Sequence, residues 1–236
     1  ASNTKPNCFC SSRSKNERRE VRKSFRLIMA VFTPTYPLTL PTATGVITQN
    51  FSLTRAVAVT TSPFTFQTQV HQHQGEFWRT VITLPPMLRA NANIWLSFLL
   101  QLRGRRGTFK IGDQDAKTIT GVATGTIRVN GASQTGNQVA LDGFANSTNN
   151  VFKAGDYIQI GSYLYMVIED VNSNSSGEAN VKIEPALRSS IETINDDTTV
   201  IYSNTTTLMR LDTNELGWQT DNVSKYGISF SASEAL

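Results

Sequence analysis

Cysteine is almost missing from this sequence. The two cysteines among 236 residues, Cys8 and Cys10, are separated by a single residue. That spacing is too short for an ordinary disulfide between them, and two thiols are too few for a structural zinc site. We therefore expect free thiols, and neither a disulfide framework nor a cysteine metal site.

Long hydrophobic runs are missing as well. The densest apolar stretch, residues 94–102, is interrupted by Ser97 and Gln101. It is far shorter than the roughly 20 apolar residues that a helix needs to cross a bilayer. The basic stretch near the start is followed only by a short, mixed apolar segment, which is not typical of a secretory signal. The sequence predicts a soluble chain without a membrane span.

The common motifs of catalysis do not occur. The sequence contains no His-Glu-x-x-His, no Gly-x-Ser-x-Gly and no phosphate-binding loop. Asp113 and Asp115 lie in a Gly-Asp-x-Asp turn with no acid or base partner nearby in sequence. His71 and His73 would share one face of a strand, but no cysteine or carboxylate adjoins them. We expect no enzyme activity, no catalytic or metal-binding residue and no cofactor.

Charge is scarce and unevenly distributed. Charged residues make up 17% of the chain, and the net charge is +4. Residues 1–28, here called the basic arm, hold eight Lys and Arg against two Glu, so the rest of the chain carries −2. Only this arm has the clustered cations that bind phosphates, so we expect no nucleic-acid partner except through the arm. We expect the arm to be flexible and solvated. Met29 is a candidate initiator, which would make the basic arm an upstream extension.

Threonine, serine, asparagine and glutamine fill much of the chain, a composition suited to antiparallel strands with one solvated face. Residues 46–59 alternate apolar and polar side chains, as a half-buried strand does. Ser62-Pro63 breaks this run, and residues 64–66 resume it. Gln74-Gly75 predicts a turn before a further strand at residues 77–84. We expect a meander of short strands.

One helix is predicted, over residues 87–102. Pro85-Pro86 precedes it, and glycine follows it, as is common at helix starts and ends. The side chains expected on its core stripe are Leu88, Ala92, Trp95, Phe98, Leu99 and Leu102. Ile94, Leu96 and Leu100 lie away from the centre of this stripe, which indicates either a wider core or a subunit interface.

Three arginines, Arg103, Arg105 and Arg106, follow the predicted helix. Cations there suit the negative end of the helix dipole. Planar guanidinium groups also suit pairing with carboxylates of an adjacent subunit. The candidate subunit interface therefore consists of Ile94, Leu96, Leu100, Arg103, Arg105 and Arg106.

From about residue 121 the pattern changes to short β-runs separated by Gly, Asn, Ser and Thr, which predicts a second small β-barrel or sandwich module. The runs are residues 126–129, 138–141, 157–160, 163–169 and 179–183. Tyr157, Tyr163 and Tyr165 lie on a predicted hairpin with Gly161-Ser162 as its turn. They are a candidate glycan-binding platform, although strand tyrosines more often pack across strands.

Several short segments together resemble one family. They are residues 77–79, 83–87, 102–113, 131–136, 154–159, 185–188 and 226–235, with Trp95 between the second and third. In this combination the chain, from about residue 30 to its end, is similar to the distal tail proteins of long-tailed bacteriophages (siphophages). The basic arm departs from that pattern. The segments carry glycines and core aromatics rather than reactive groups.

The resemblance implies a structural virion protein of the phage tail tip, assembled in the host cytoplasm. It would form a ring, usually of six subunits, that joins the tail tube to the hub and the receptor-binding apparatus. Its expected partners are itself, the tail-tube protein and the hub protein, with the receptor-binding or tape-measure protein as further candidates. Residues 30–124 and 190–236 would then form one split, all-β domain with one helix, a sandwich or split barrel, and residues 125–189 an inserted β-module. The alternatives are a carbohydrate-binding β-module and another tail-tube or minor tail subunit.

Overall fold

Antiparallel β-strands provide most of the regular structure in the computed structural model, which describes residues 32–236. The prediction of an all-β fold with a helix is confirmed. The predictions for the basic arm, for Met29 and for the two cysteines fall outside the described residues. Residues 35–236 form one compact unit.

A five-stranded sheet lies at the centre of the first half of the fold. Its order is β1-β2-β13-β10-β3, and all neighbours are antiparallel. The strands are β1 (Thr48–Thr61), β2 (Thr68–Thr83), β3 (Thr108–Ile111), β10 (Thr207–Leu211) and β13 (Ser229–Glu234). The C-terminal β13 pairs with β2, so the end of the described chain returns to the first sheet.

The β1–β2 region differs from the predicted meander. Gln74 and Gly75 do not form a turn, because β2 continues through both of them. The turn lies earlier, at residues 62–67, where a strand around Phe64 and Phe66 was expected. Alternating apolar residues resemble a half-buried strand whether or not anything covers them. The region is therefore one long hairpin instead of several short strands.

A single α-helix, α1, spans Arg89–Gln101 in the described part of the chain. It packs on the five-stranded sheet through Trp95 against Phe230 and Phe98 against Phe109, with ring centroids 6.3 and 5.7 Å apart. Five of the six predicted stripe residues are buried. Leu88 is not: it precedes the first helical residue in extended conformation and is 66% exposed, so its assignment to the core stripe was wrong.

The second sheet has six strands in the order β4-β5-β8-β7-β6-β9. Their bounds are β4 (Arg128–Val129), β5 (Gln138–Asp142), β6 (Tyr157–Ile160), β7 (Tyr163–Val167), β8 (Ala179–Glu184) and β9 (Val200–Ile201). The Val129 N–H donates to the Thr198 carbonyl at 3.0 Å, and the Val200 N–H to the Ile127 carbonyl at 2.9 Å. These bonds bring β9 back to β4, so the sheet nearly closes into a barrel around its own apolar core.

The outer face of this barrel is covered by the first sheet. Tyr157 and Leu164 belong to barrel strands, yet they are buried in the core of the five-stranded sheet. The Trp78 indole N–H donates to the Leu164 carbonyl at 2.8 Å. The proposed insertion ends at residue 189, whereas the barrel sheet extends to β9. The division of the chain into domains stays a prediction.

A short two-stranded ribbon completes the described elements, with β11 (Gln219–Thr220) paired to β12 (Tyr226–Gly227). Within residues 32–236, no helix has the length and apolar character needed to cross a membrane.

Candidate subunit interface

The β1–β2 hairpin has two halves that differ in their surroundings. In the inner half, register pairs run from Thr48–Thr83 to Arg55–Glu76, and β2 is also paired with β13 on its other side. In the outer half, pairs run from Val57–Gln72 to Thr61–Thr68. In the described structure, no third strand pairs with this outer half. Residues 56–75 are called the hairpin extension below.

A β-bulge separates the two halves. The register shifts between Arg55 and Val57, so that residue 56 faces three residues of β2. Bulges bend and twist a strand pair, and they are common where a ribbon leaves its sheet. The Arg55 guanidinium fixes this point with ion pairs to Glu184 at 2.9 Å and to Glu76 at 3.6 Å. The extension therefore begins at a defined, anchored position.

Almost the whole hairpin extension is open to solvent. Every one of its residues except Ser62 is exposed. Val57, Val59 and Val70 share one face of the ribbon, because Val59 pairs with Val70 and strand side chains alternate. His71 and His73 lie on the other face. A two-stranded ribbon with both faces in water is marginally stable at best.

The extension carries no formal charge. Between Arg55 and Glu76 the sequence has no Asp, Glu, Lys or Arg, although such residues make up 17% of the chain. Exposed strand edges usually carry charges, especially lysine, which prevent pairing with other chains. The extension lacks this protection, so its surface suits contact with another protein.

Two phenylalanines form the tip. Phe64 is 92% exposed and Phe66 is 79% exposed. The loop is held by its own hydrogen bonds: the Ser62 N–H donates to the Gln67 carbonyl and the Phe66 N–H to the Ser62 carbonyl, both at 2.9 Å. Phe66 has φ +55°, a left-handed conformation that is strained for a bulky residue. The loop thus holds both rings outward.

The histidines of the extension share one strand face, as their spacing predicts. Among residues 32–236, however, no three His, Cys, Asp or Glu side chains come together as a metal site would require.

The interface residues expected on the helix have different surroundings. Ile94 and Leu100 are 48% and 61% exposed, whereas Leu96 is half-buried and packs against the core. Ile94 borders a groove of about 460 Å³ between α1 and residues 38–41. The groove is lined by Leu38, Thr39, Pro41, Asn93, Ile94, Ser97, Phe98 and Gln101, none of which is charged.

The three arginines after the helix are all exposed. Arg103 has φ +52°, and Arg105 and Arg106 end a 3-10 turn at Gly104–Arg106. The Arg105 backbone N–H donates to the Asn214 side-chain oxygen at 3.1 Å. Gly104 is needed here, because its φ is +66° and a Cβ would lie 2.8 Å from that same oxygen. The role of these arginines in a subunit contact stays a prediction.

The tyrosines expected to form a glycan platform are buried. Tyr157, Tyr163 and Tyr165 are 8%, 4% and 1% exposed. Tyr157 packs against Trp78 with ring centroids 5.9 Å apart, and the Tyr165 hydroxyl accepts the Arg188 N–H at 3.0 Å. This corrects the platform hypothesis, because a sugar stacks on an open ring face and these rings face the protein interior.

Sequence reasoning missed a buried ion pair beneath the hairpin extension. Arg188 donates to Glu234 at 2.8 Å and to the Glu76 carbonyl at 2.8 Å. Glu234 also accepts the Trp78 N–H at 3.1 Å. Burial raises the pKa of Glu234, while Arg188 and the Trp78 N–H act to lower it. The pair links a loop beyond β8 to the strands from which the extension rises.

Alkaline titration tests the burial of the tyrosines. Burial, with a smaller contribution from Asp113, raises the pKa of Tyr157 from 10.0 to about 12, and burial also raises the pKa of Tyr163 and Tyr165. A folded-state pKa above the unfolded value stabilises the fold below pH 10, and this stabilisation is lost as pH rises through the folded value. We expect phenolate absorbance to show incomplete titration of the six tyrosines near pH 10, and the remainder to appear with unfolding.

The same titration in denaturant provides the control, because all six tyrosines should then ionise together near their ordinary pKa. Complete ionisation of the folded protein in one step near pH 10 would contradict the burial described above.

Comparison with models of known protein families finds no family that matches this chain, and comparison with curated proteins finds no match either.

Proposed function

We propose that this protein is a structural subunit of a phage tail tip, which assembles with copies of itself into a ring between the tail tube and the hub. The observation that carries the self-assembly is the hairpin extension: an anchored, uncharged ribbon exposed on both faces, with two phenylalanines at its tip. Such a surface is unfavourable in water and is stabilised when a second chain covers it.

The tail-tip location rests on the sequence resemblance described above. Two features are compatible with it. The chain is all-β, and a barrel is attached to a five-stranded sheet, as expected for a ring-forming domain that carries an additional module. The segments behind the resemblance include parts of β2, β3 and β13, which are three of the five strands of the first sheet.

Electron-microscope class averages of the purified protein test this function. We expect closed rings with an axial channel wide enough for a tail tube. Long stacked tubes would favour the tail-tube alternative over the distal ring. Particles of single-subunit size at every concentration would overturn the proposed function.

A further inference from the structure

The tip of the hairpin extension is apolar, the groove beside α1 is uncharged with a half apolar lining, and nothing in the described chain covers either surface. At the tip, Phe64 and Phe66 are the most exposed large apolar side chains of the described residues. Burying a phenylalanine side chain contributes about 1.5–3 kcal/mol. Exposure of two adjacent rings is therefore unfavourable unless another molecule receives them.

The groove has the size and chemistry to receive such a tip. Leu38, Pro41, Ile94 and Phe98 provide its apolar lining. It is an open surface groove with a volume of about 460 Å³. Asn93, Ser97 and Gln101 supply polar groups at the rim, and the tip loop offers Ser62, Thr65 and Gln67.

Charge does not oppose this contact on either side. Neither the hairpin extension nor the groove lining contains a formally charged residue. Their association would bury no unpaired ion, which is the most costly event in forming an interface.

The tip and the groove lie towards opposite edges of the five-stranded sheet, which favours a contact between chains over one within a chain. β1 and β3 are the two opposite edges of the five-stranded sheet. The extension rises from the β1 side, whereas the groove lies at the β3 side, where the Leu38 N–H donates to the Thr108 carbonyl at 2.9 Å. Four strand spacings of about 4.8 Å separate the edges, and the extension leads away from the sheet by about 20 Å.

We propose that the Phe64 and Phe66 tip of one copy inserts into the α1 groove of the next copy. Two different patches at opposite edges form a head-to-tail contact, and repetition of such a contact closes a ring or extends a filament. This inference rests on the proposed self-assembly and names the surfaces that perform it. It assigns Ile94, one of the residues expected at a subunit interface, to the receiving groove.

Crosslinking between two differently tagged, co-expressed chains tests the contact directly. Both chains carry Cys8→Ser and Cys10→Ser, one also carries Phe66→Cys, and the other Ser97→Cys. We expect mild oxidation to give a mixed disulfide dimer, because a docked tip would bring the two Cα atoms within the roughly 7 Å that a disulfide spans. The matched control pairs Phe66→Cys with Val223→Cys, an exposed position in the β11–β12 turn, and should give no dimer.

A substitution series gives the second readout. We expect Phe64→Ser with Phe66→Ser to weaken self-association by at least about 100-fold, as loss of two buried rings implies. Ser97→Glu should weaken it as well, because it places a charge in the groove. Val223→Ser removes an exposed apolar side chain elsewhere and should change nothing. Circular dichroism checks that each variant remains folded.

The possible results separate this inference from the proposed function. If the unaltered protein assembles but the mixed disulfide is absent and the Phe variants assemble normally, the tip-in-groove contact is wrong and the proposed ring remains. If the Phe variants instead lose binding to phosphatidylcholine vesicles while assembly is unchanged, the tip is a membrane contact and the inference is again overturned. If the unaltered protein never assembles, the proposed function itself fails.

Discussion

Replacing Arg188 by methionine is expected to destabilise the fold by about 3–5 kcal/mol, because it leaves Glu234 buried without its partner. Both side chains are almost fully buried, at 8% and 6% exposed. The substitution also removes the hydrogen bond to the Glu76 carbonyl, at the point where the barrel loop meets β2. Urea unfolding monitored by tryptophan fluorescence measures the change, since Trp78 lies next to the pair.

The pH dependence of this loss identifies its cause. Burial raises the pKa of Glu234, and loss of the lowering effect of Arg188 would raise this pKa further above its ordinary value. A group whose pKa is raised in the folded state stabilises the fold at pH values below its unfolded-state pKa. This stabilisation is lost as the pH rises through the folded-state pKa. We therefore expect Arg188→Met to be closer to the unaltered protein at about pH 5 than at about pH 8.

Two further variants serve as controls for the pair. Arg188→Met combined with Glu234→Gln should recover much of the loss, because a neutral amide still accepts the Trp78 N–H. Arg79→Met breaks the ion pair of Arg79 and Asp212, whose arginine side chain is 52% exposed, and should cost no more than about 1 kcal/mol. Equal losses of stability for Arg79→Met and Arg188→Met would show that burial does not determine the contribution of the Arg188–Glu234 pair.

Removing the hairpin extension is expected to abolish assembly while leaving the fold intact. Arg55 and Glu76 face each other in the register, so residues 56–75 can be replaced by a two-residue Asn-Gly turn, which suits a tight hairpin. The deletion leaves the inner pairs from Thr48–Thr83 to Arg55–Glu76 in place. It removes only residues that contribute no buried side chain.

Gel filtration and thermal unfolding measure both consequences. We expect a monomer at concentrations where the unaltered protein assembles, with little change in the midpoint of unfolding. Normal assembly of the deletion variant would place the subunit contact elsewhere, with the exposed Ile94, Leu100 and the arginines after α1 as the next surface to test.

The sequence was sufficient for elements whose patterns are local. The short β-runs bounded by Gly, Asn and Ser predict β5 to β8, and the apolar stripe predicts α1, so both the barrel strands and the helix were expected close to their observed positions. The return of β13 to the first sheet was implied only by the family resemblance, because the short alternating run at Ile228 does not say which strand it pairs with.

The candidate interface was less predictable, because a pattern does not say what lies opposite it. The alternation of Val57 and Val59 is that of a half-buried strand, yet both are exposed. The tyrosines of β6 and β7 were equally ambiguous, because the pattern does not show that Tyr157 packs in the core of the first sheet while Tyr163 and Tyr165 pack in the barrel core. Arg188 and Glu234 lie 46 positions apart and share no local motif. The one signal available for the extension was its lack of charge.

The mass of the unaltered protein in solution, measured by sedimentation over a dilution series, tests self-assembly most directly. One chain has a mass of 26.0 kDa. We expect a single species of several times that mass, which dissociates only at low concentration. A mass of one chain at every concentration, with the hairpin extension present, would contradict assembly of this protein with copies of itself.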